Sequence, residues 1–287
     1  MPELPEVETV RKGLEDRLEN FLIHKIEVLS DRTIASSGGS KLFISSMENA
    51  LVGSWHRRGK YLIANLFQDS TQKNQRVAWG FWVVHLRMTG YFKWNPKGNK
   101  PCPHTRVRLF DKQGNEIRFI DVRNFGQMWW IGHYHDPFKV IPGLNKLGPE
   151  PFSKEFNFEY LRQKLKNKKR SIKSTLLDQS VIAGIGNIYA DESLFEAGIM
   201  PTKESQSLQN QEVKKLCRSI VSVLRKSIGK GGTTFSDFRD LEGINGNYGG
   251  EAWVYRRNNM SCKKCDSKIL KCKLSGRSTH WCPNCQT

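Results

Sequence analysis

The chain has 287 residues and a formal net charge of +18, from 46 Lys and Arg against 28 Asp and Glu. That length exceeds what one core usually takes and suggests two domains. The basic excess suits a polyanion, with DNA or RNA ahead of an acidic membrane surface, because no basic amphipathic helix with an aromatic-rich face stands out. No apolar run is long enough to span a bilayer, and the charged N-terminus lacks a signal-peptide core. A cytoplasmic, nucleoid-associated protein without a membrane partner is expected.

Met1-Pro2-Glu3-Leu4-Pro5-Glu6-Val7-Glu8-Thr9 opens the chain. If Met1 is removed, Pro2 carries a secondary amine at the chain end. An α-amino group titrates at about 7.7–8, so much of it is neutral and nucleophilic near pH 7. Such an amine attacks an aldehyde-like carbon to form an iminium ion, and Glu3 places a carboxylate beside that carbon. Pro5 suits the first turn of a helix, and Glu6 and Glu8 suit its positive end. Val7, Val10, Leu14 and Leu18 give that helix one apolar face. The plain alternative is an ordinary capped helix with a frayed tip.

Short β-rich runs follow at Tyr61–Phe67, Ala78–Val84, Tyr91–Trp94, Arg106–Phe110, Glu116–Val122 and Met128–Ile131. Polar or glycine breaks separate them, which favours an antiparallel sandwich with the opening helix packed on it. Lys60, after Arg57-Arg58-Gly59 at the start of a strand, reads either as a cation facing DNA or as one more solvated lysine. His133–Gly148, with its prolines and glycines, reads as a linker.

The second half turns helical, at Phe158–Lys166, Ile172–Gln179, Asn187–Ala197 and Glu212–Ile228, with Gly229–Gly232 as a stop. Gly184-Ile185-Gly186-Asn187 precedes one of these helices. Two glycines and a helix end can cradle a phosphate, and Lys168-Lys169-Arg170 and Lys173 add charge nearby. A dinucleotide fingerprint fails for want of a strand–turn–helix–strand unit, while a helix-packing turn stays open. Gly243–Gly250 is glycine-rich and expected to be mobile. The tail, Trp253–Thr287, holds Cys262-x2-Cys265-x16-Cys282-x2-Cys285, a spacing that signals a four-thiolate zinc site. Disulfides are the weaker reading, since secretory features are lacking. Cys102, Cys217 and Cys272 lie outside the pattern as structural or incidental thiols.

These motifs together resemble the formamidopyrimidine-DNA glycosylase family. The likeness rests on Met1–Thr9, Arg58-Gly59-Lys60-Tyr61, His85-Leu86-Arg87-Met88-Thr89-Gly90, Asp121-Val122-Arg123-Asn124-Phe125-Gly126, Gly184–Ala190 and the cysteine tail, in the family's order over nearly the whole chain. The resemblance implies an α+β protein. An N-terminal antiparallel β-sandwich with a flanking helix spans 1–134, and a linker spans 135–148. A helix–two-turn–helix domain spans 149–235, a lesion-capping loop end and connector 236–252, and a zinc-finger hairpin 253–287.

It implies a bifunctional glycosylase and abasic-site lyase for oxidised purines in duplex DNA, acting as a monomer with one structural Zn2+. Pro2 is then the nucleophile, with Glu3, Lys60 and Arg277 as catalytic partners. Met88, Arg123 and Phe125 fill the gap left by an everted nucleotide, Arg123 pairing with the orphaned base and Phe125 wedging beside it. His104, Lys169 and Asn187 contact DNA. Asn124 is an arginine in some relatives, which weakens one nearby contact. Gly231–Thr234 and the following Phe235–Tyr248 match the family's base-capping loop, more weakly than the catalytic blocks match. The Leu4–Glu8 stretch favours the purine branch over an endonuclease VIII-like enzyme for oxidised pyrimidines. Intact Pro2, Glu3 and Lys60 argue against a non-catalytic zinc-ribbon protein that binds damage.

Overall fold

The structure, a computed structural model, describes residues 1–70, 75–95, 100–233, 241 and 246–287. The chain divides into two units. The first comprises Met1–Pro2, Glu6–Asn145 and Thr233–Gly246, and the second Glu3–Pro5, Lys146–Gly232 and Asn247–Thr287. Most of the expected capping loop, at 234–240 and 242–245, lies outside the described residues, as does part of the glycine-rich stretch 243–250.

Helix α1 (Leu4–Leu18) has Glu6 in its first turn and Arg17 in its last, the charge order a helix dipole favours. Its Val7, Val10, Leu14 and Leu18 are buried, as their spacing predicts. Among the described residues of the first unit, eight strands form two antiparallel sheets. They are β1 (Lys25–Val28), β2 (Leu51–Arg58), β3 (Tyr61–Ser70), β4 (Gln75–His85), β5 (Gly90–Asn95), β6 (Thr105–Phe110), β7 (Glu116–Asp121) and β8 (Gln127–Gly132). One sheet runs β1-β6-β7-β5 and the other β2-β3-β4-β8. Trp55, Leu62, Trp82 and Val84 from one sheet share a core with Phe92, Val107, Leu109 and Phe119 from the other. Trp82 and Phe92 meet edge to face at 5.8 Å. Helix α1 and α2 (Gly39–Met47) add Val10, Leu14, Phe43 and Met47 to this core.

The sheet order fixes where the loops go. β4 and β8 pair through His85 and Gln127, while β5 and β7 pair through Gly90 and Asp121. The β4–β5 loop and the β7–β8 loop therefore cross between the sheets side by side. The second unit holds α5 (Phe158–Leu165), α6 (Ile172–Leu176), α7 (Asn187–Ala197), α8 (Asn210–Gly229) and the hairpin β9 (Leu270–Leu274) and β10 (Arg277–Trp281). The two hairpin-loop residues, Ser275 and Gly276, have φ of 47° and 79°, the left-handed pair that matches strand twist.

The structure departs from the sequence expectations in four places. Lys60 is not at a strand start but in the Gly59–Lys60 loop joining β2 to β3, and it is buried rather than solvated. The expected linker contains two short helices, α3 (Pro137–Val140) and α4 (Pro142–Asn145), because Ile141 and Leu144 have a core to enter. The helix expected over Ile172–Gln179 ends at Leu176, since the Asp178 carboxylate instead takes the Ser180 N–H at 3.0 Å and its hydroxyl at 2.6 Å. Strands β1 and β2 and helix α2 carry no counterpart in the expected elements.

Candidate active site

Glu3 is buried at the start of the chain. Its side chain is 2% exposed and sits at the start of α7. Oε1 accepts the Ile188 N–H at 2.9 Å, and Oε2 accepts those of Gly186 at 2.8 Å and Tyr189 at 3.3 Å. Leu4 N–H donates to Gly184 O at 3.0 Å alongside. This is the helix-end anion site that the Gly184–Asn187 pattern announces, but its anion is the chain's own carboxylate rather than a phosphate. Gly186 must be glycine, because a Cβ there would stand 2.3 Å from Glu3 Cδ.

Lys173 is likewise not a surface cation. It is 1% exposed, with Nζ 2.6 Å from Asp191 Oδ1, 2.8 Å from Ser278 O and 2.9 Å from Thr279 Oγ1. Burial lowers its pKa, while the charges of Asp191 and Glu3 oppose that fall. Asp191 Oδ2 also accepts the His280 N–H at 2.9 Å, so one buried ion pair ties α6 and α7 to β10. Asn187 joins the same hairpin, its Nδ2 donating to Ser278 O at 2.9 Å, while its buried Oδ1 has no hydrogen-bond partner. The amide expected on the DNA backbone thus has one donor directed at the hairpin. Arg277 stands exposed beside the hairpin loop and Lys169 is exposed before α6, whereas Arg170 is paired with Asp178 at 2.6 Å.

The thiols of Cys262, Cys265, Cys282 and Cys285 lie within 4.8 Å of one another, with neighbouring sulfurs at 3.3, 3.4 and 3.9 Å. A tetrahedral ion with thiolates at 2.3 Å sets sulfurs about 3.8 Å apart, so the donor set fits a metal with a closed shell.

In the first unit, Met1, Arg32, Arg87, Met88, Asn124, Phe125 and Gln127 line one cavity of about 430 Å³. Asp121 organises its wall. Its carboxylate accepts the Thr89 hydroxyl and the N–H groups of Phe125 at 2.8 Å and Gly126 at 2.6 Å. Thr89 Oγ1 in turn accepts the Arg123 N–H at 3.1 Å, locking the two crossing loops together. Met88 and Phe125 remain 36% and 40% exposed, an unusual state for large apolar side chains beside a packed core. Arg123 is exposed with its guanidinium 5.1 Å from the Phe125 ring. Nearby, buried His85 accepts the Arg87 N–H at 3.0 Å through Nδ1. Burial first, then the charges of Arg87 and Lys60, pushes its pKa down to about 3, so the imidazole is neutral.

The sequence profile of the formamidopyrimidine-DNA glycosylase N-terminal domain matches residues 1–128, and that family's H2TH domain matches 147–239. A formamidopyrimidine-DNA glycosylase of Prochlorococcus marinus (strain MIT 9211) is 65% identical over 286 residues, covering 100% of both chains. The chain belongs to the formamidopyrimidine-DNA glycosylase family. Solved structures of the same fold include a Lactococcus lactis Fpg mutant in complex with DNA containing Fapy-dG, at a TM-score of 0.89, 33% identity and 100% of both chains. The wild-type Lactococcus lactis Fpg (MutM) in complex with DNA containing an oxidised pyrimidine gives 0.87 at 33% identity, again over 100% of both.

Against that family's motifs, the structure brings Met88, Arg123 and Phe125 together on two adjoining loops, and Glu3 together with the Gly184–Asn187 turn. His104 is exposed, and its carbonyl accepts the Asp121 N–H at 2.9 Å. Sequence reasoning passed over Asp121 and Thr89, although both lie inside the quoted motifs. It also missed Glu6, whose Oε1 accepts the Thr233 N–H at 2.8 Å and so holds Thr233 against the first turn of α1. Arg32 gave no signal at all.

Proposed function

We propose that the chain excises oxidised purines from duplex DNA and then cuts the abasic site, with the amine of Pro2 as nucleophile. Family membership makes it a DNA glycosylase of base excision repair. The observation that carries the finer reading is Met1, which lines the cavity of Met88 and Phe125 and is bonded to a buried Pro2. Loss of Met1 makes the Pro2 nitrogen the chain-end amine, and the residue that follows it, Glu3, carries a carboxylate that three backbone N–H groups hold in place.

The nitrogen lone pair forms a bond to C1′ as the bond from C1′ to the base breaks, and the base leaves with a proton. Glu3 moves the proton needed at the sugar ring oxygen as the ring opens to the iminium ion. The iminium acidifies the C2′ proton, whose loss expels the 3′ phosphate. A second elimination expels the 5′ phosphate and leaves a one-nucleotide gap. Lys60 and Arg277 hold phosphates and assist these eliminations. Met88, Arg123 and Phe125 occupy the vacated stack, with His104, Lys169 and Asn187 on the DNA backbone. Asn187 Nδ2 carries two N–H donors, so one can stay on Ser278 O while the other meets a phosphate. Zinc in the four-thiolate site supplies fold, not reaction chemistry, because no coordination position stays open. The working division is 1–134 for catalysis, 149–235 for DNA binding and 253–287 for the zinc finger.

Borohydride added during turnover tests the nucleophile. Reduction of the iminium should lock the enzyme to DNA through Pro2, and a retained N-terminal extension should abolish trapping while sparing DNA binding. A trapped peptide containing Lys60 instead would overturn the assignment. A second reading, oxidised pyrimidines, draws on the relative bound to such DNA. Cleavage of 8-oxoguanine opposite cytosine is expected to outpace cleavage of thymine glycol, and the reverse order would favour the pyrimidine reading.

A further inference from the structure

The turn Asp31–Thr33 places a cation at the cavity of Met88 and Phe125. Backbone bonds hold this turn to β8: Ile34 bridges Met128, and Ala35 N–H donates to Met128 O at 2.8 Å. Asn124 holds it from the other loop. At φ 53° it directs Nδ2 to Ser30 Oγ at 3.0 Å, while Thr33 Oγ1 donates to its Oδ1 at 3.3 Å. Arg32 stands between these two anchors. Its Cζ lies 5.2 Å from the centre of the Phe125 ring, nearly the 5.1 Å of Arg123. Among the described residues no carboxylate pairs with Arg32, and neighbouring Asp31 takes the Ser40 hydroxyl at 2.5 Å.

An exposed phenylalanine on a loop tip has rotamers to lose before it can enter a base stack. A guanidinium over its face attracts the ring quadrupole, and at an exposed site that contact shifts a population by about two- to five-fold. The anchors make the contact specific, because Ser30 and Thr33, on either side of Arg32, are both tied through their hydroxyls to the same Asn124 that precedes Phe125. A phosphate-binding arginine needs no ring beneath it and no such tie.

We propose that Arg32 is a positioning residue for Phe125: it holds the ring in the orientation from which the ring enters the stack, and so sets how fast the damaged nucleotide leaves the helix. The proposal rests on Phe125 being the wedge. The test is stopped-flow fluorescence of the full-length protein on a duplex carrying a tetrahydrofuran abasic analogue beside 2-aminopurine. Arg32→Gln should slow the unstacking phase about three-fold, and Arg32→Lys should keep most of the rate, since an ammonium also serves the ring. In a Phe125→Leu background, which keeps bulk but removes the ring, Arg32→Gln should cause no further slowing. Equal slowing in both backgrounds, or none in either, overturns the proposal and leaves Arg32 a phosphate contact or a bystander. If Phe125→Leu and Phe125→Ala both leave the phase unchanged, the wedge reading itself falls and takes the proposal with it.

Discussion

At the scale of single residues, the site is built from groups whose charge state the fold dictates. His85 is the clearest case. Its pKa falls from 6.5 to about 3, by burial first and then by the charges of Arg87 and Lys60. A histidine depressed in the folded state contributes stability that is full above the unfolded value near 6.5 and lost as pH falls toward 3. Between pH 6.5 and pH 4 the loss is about 3 kcal/mol, at 1.36 kcal/mol per unit. His85→Asn keeps an acceptor for the Arg87 N–H, because Oδ1 can stand where Nδ1 stood, and it does not titrate. Urea unfolding from pH 7.5 to pH 5 should therefore show the native protein losing stability more steeply than the variant. Parallel curves would mean that His85 titrates in the fold as it does in the unfolded chain, and a wild-type protein that gained stability relative to the variant as pH fell would mean that the buried imidazole is held protonated. Glu3 shows the fold fixing geometry instead. A carboxylate facing three N–H donors at a helix start is fixed in place before any substrate arrives, and pre-set geometry of this kind is what a proton-transfer group requires.

At the scale of elements, the tail is a hairpin held at two ends, by thiols at one and by Lys173 and Asp191 at the other. Removing one member of a buried pair strands the other's charge, at a cost of about 3–5 kcal/mol. Lys173→Met should therefore loosen β10 and speed loss of the metal to a chelator. Adding Asp191→Asn should restore much of the retention, since Asn still accepts the His280 N–H and leaves no charge behind. Equal metal loss from the single and double variants would show that the pair does not hold the hairpin. Sequence alone could expose the thiols, because ligand spacing is local, but not this pair, whose members are joined only through the fold. The same logic separates the elements that were legible from those that were not. β3, β4, β6 and β7 alternate or run apolar and read as strands. β1 and β2 are edge strands, and Lys25, Glu27, His56, Arg57 and Arg58 break their pattern, as edges often demand. Helix α2 starts at Gly39 after a Gly38 cap and is rich in serine, so it reads as a loop until Phe43 and Met47 find the core. In the candidate site, the motif residues were legible, but Asp121, Glu6 and Arg32 act through contacts across the fold.

At the scale of the whole molecule, the +18 charge was a reason to expect nucleic acid, yet the structure shows that the charges are not equivalent. Each cation that meets a phosphate releases counterions, and log affinity falls with log salt by about 0.9 per contact. Lys173 is buried against Asp191 and Arg170 is paired with Asp178, so neither charge stands ready for DNA. Lys169 and Arg277 are exposed, and among the described residues no carboxylate pairs with either. The salt dependence of binding to a duplex with an uncleavable abasic analogue should sort these groups. Lys169→Gln and Arg277→Gln should each flatten the slope by about one unit. Arg170→Gln should change it by much less, because freeing Asp178 adds local repulsion without removing a phosphate contact. Asn187→Ala should leave the slope alone, since a carboxamide releases no counterion, and any lost affinity should be the same at every salt concentration. If Arg170→Gln flattens the slope as much as Lys169→Gln does, Arg170 must exchange Asp178 for a phosphate on binding, and the loop before α6 must rearrange with it.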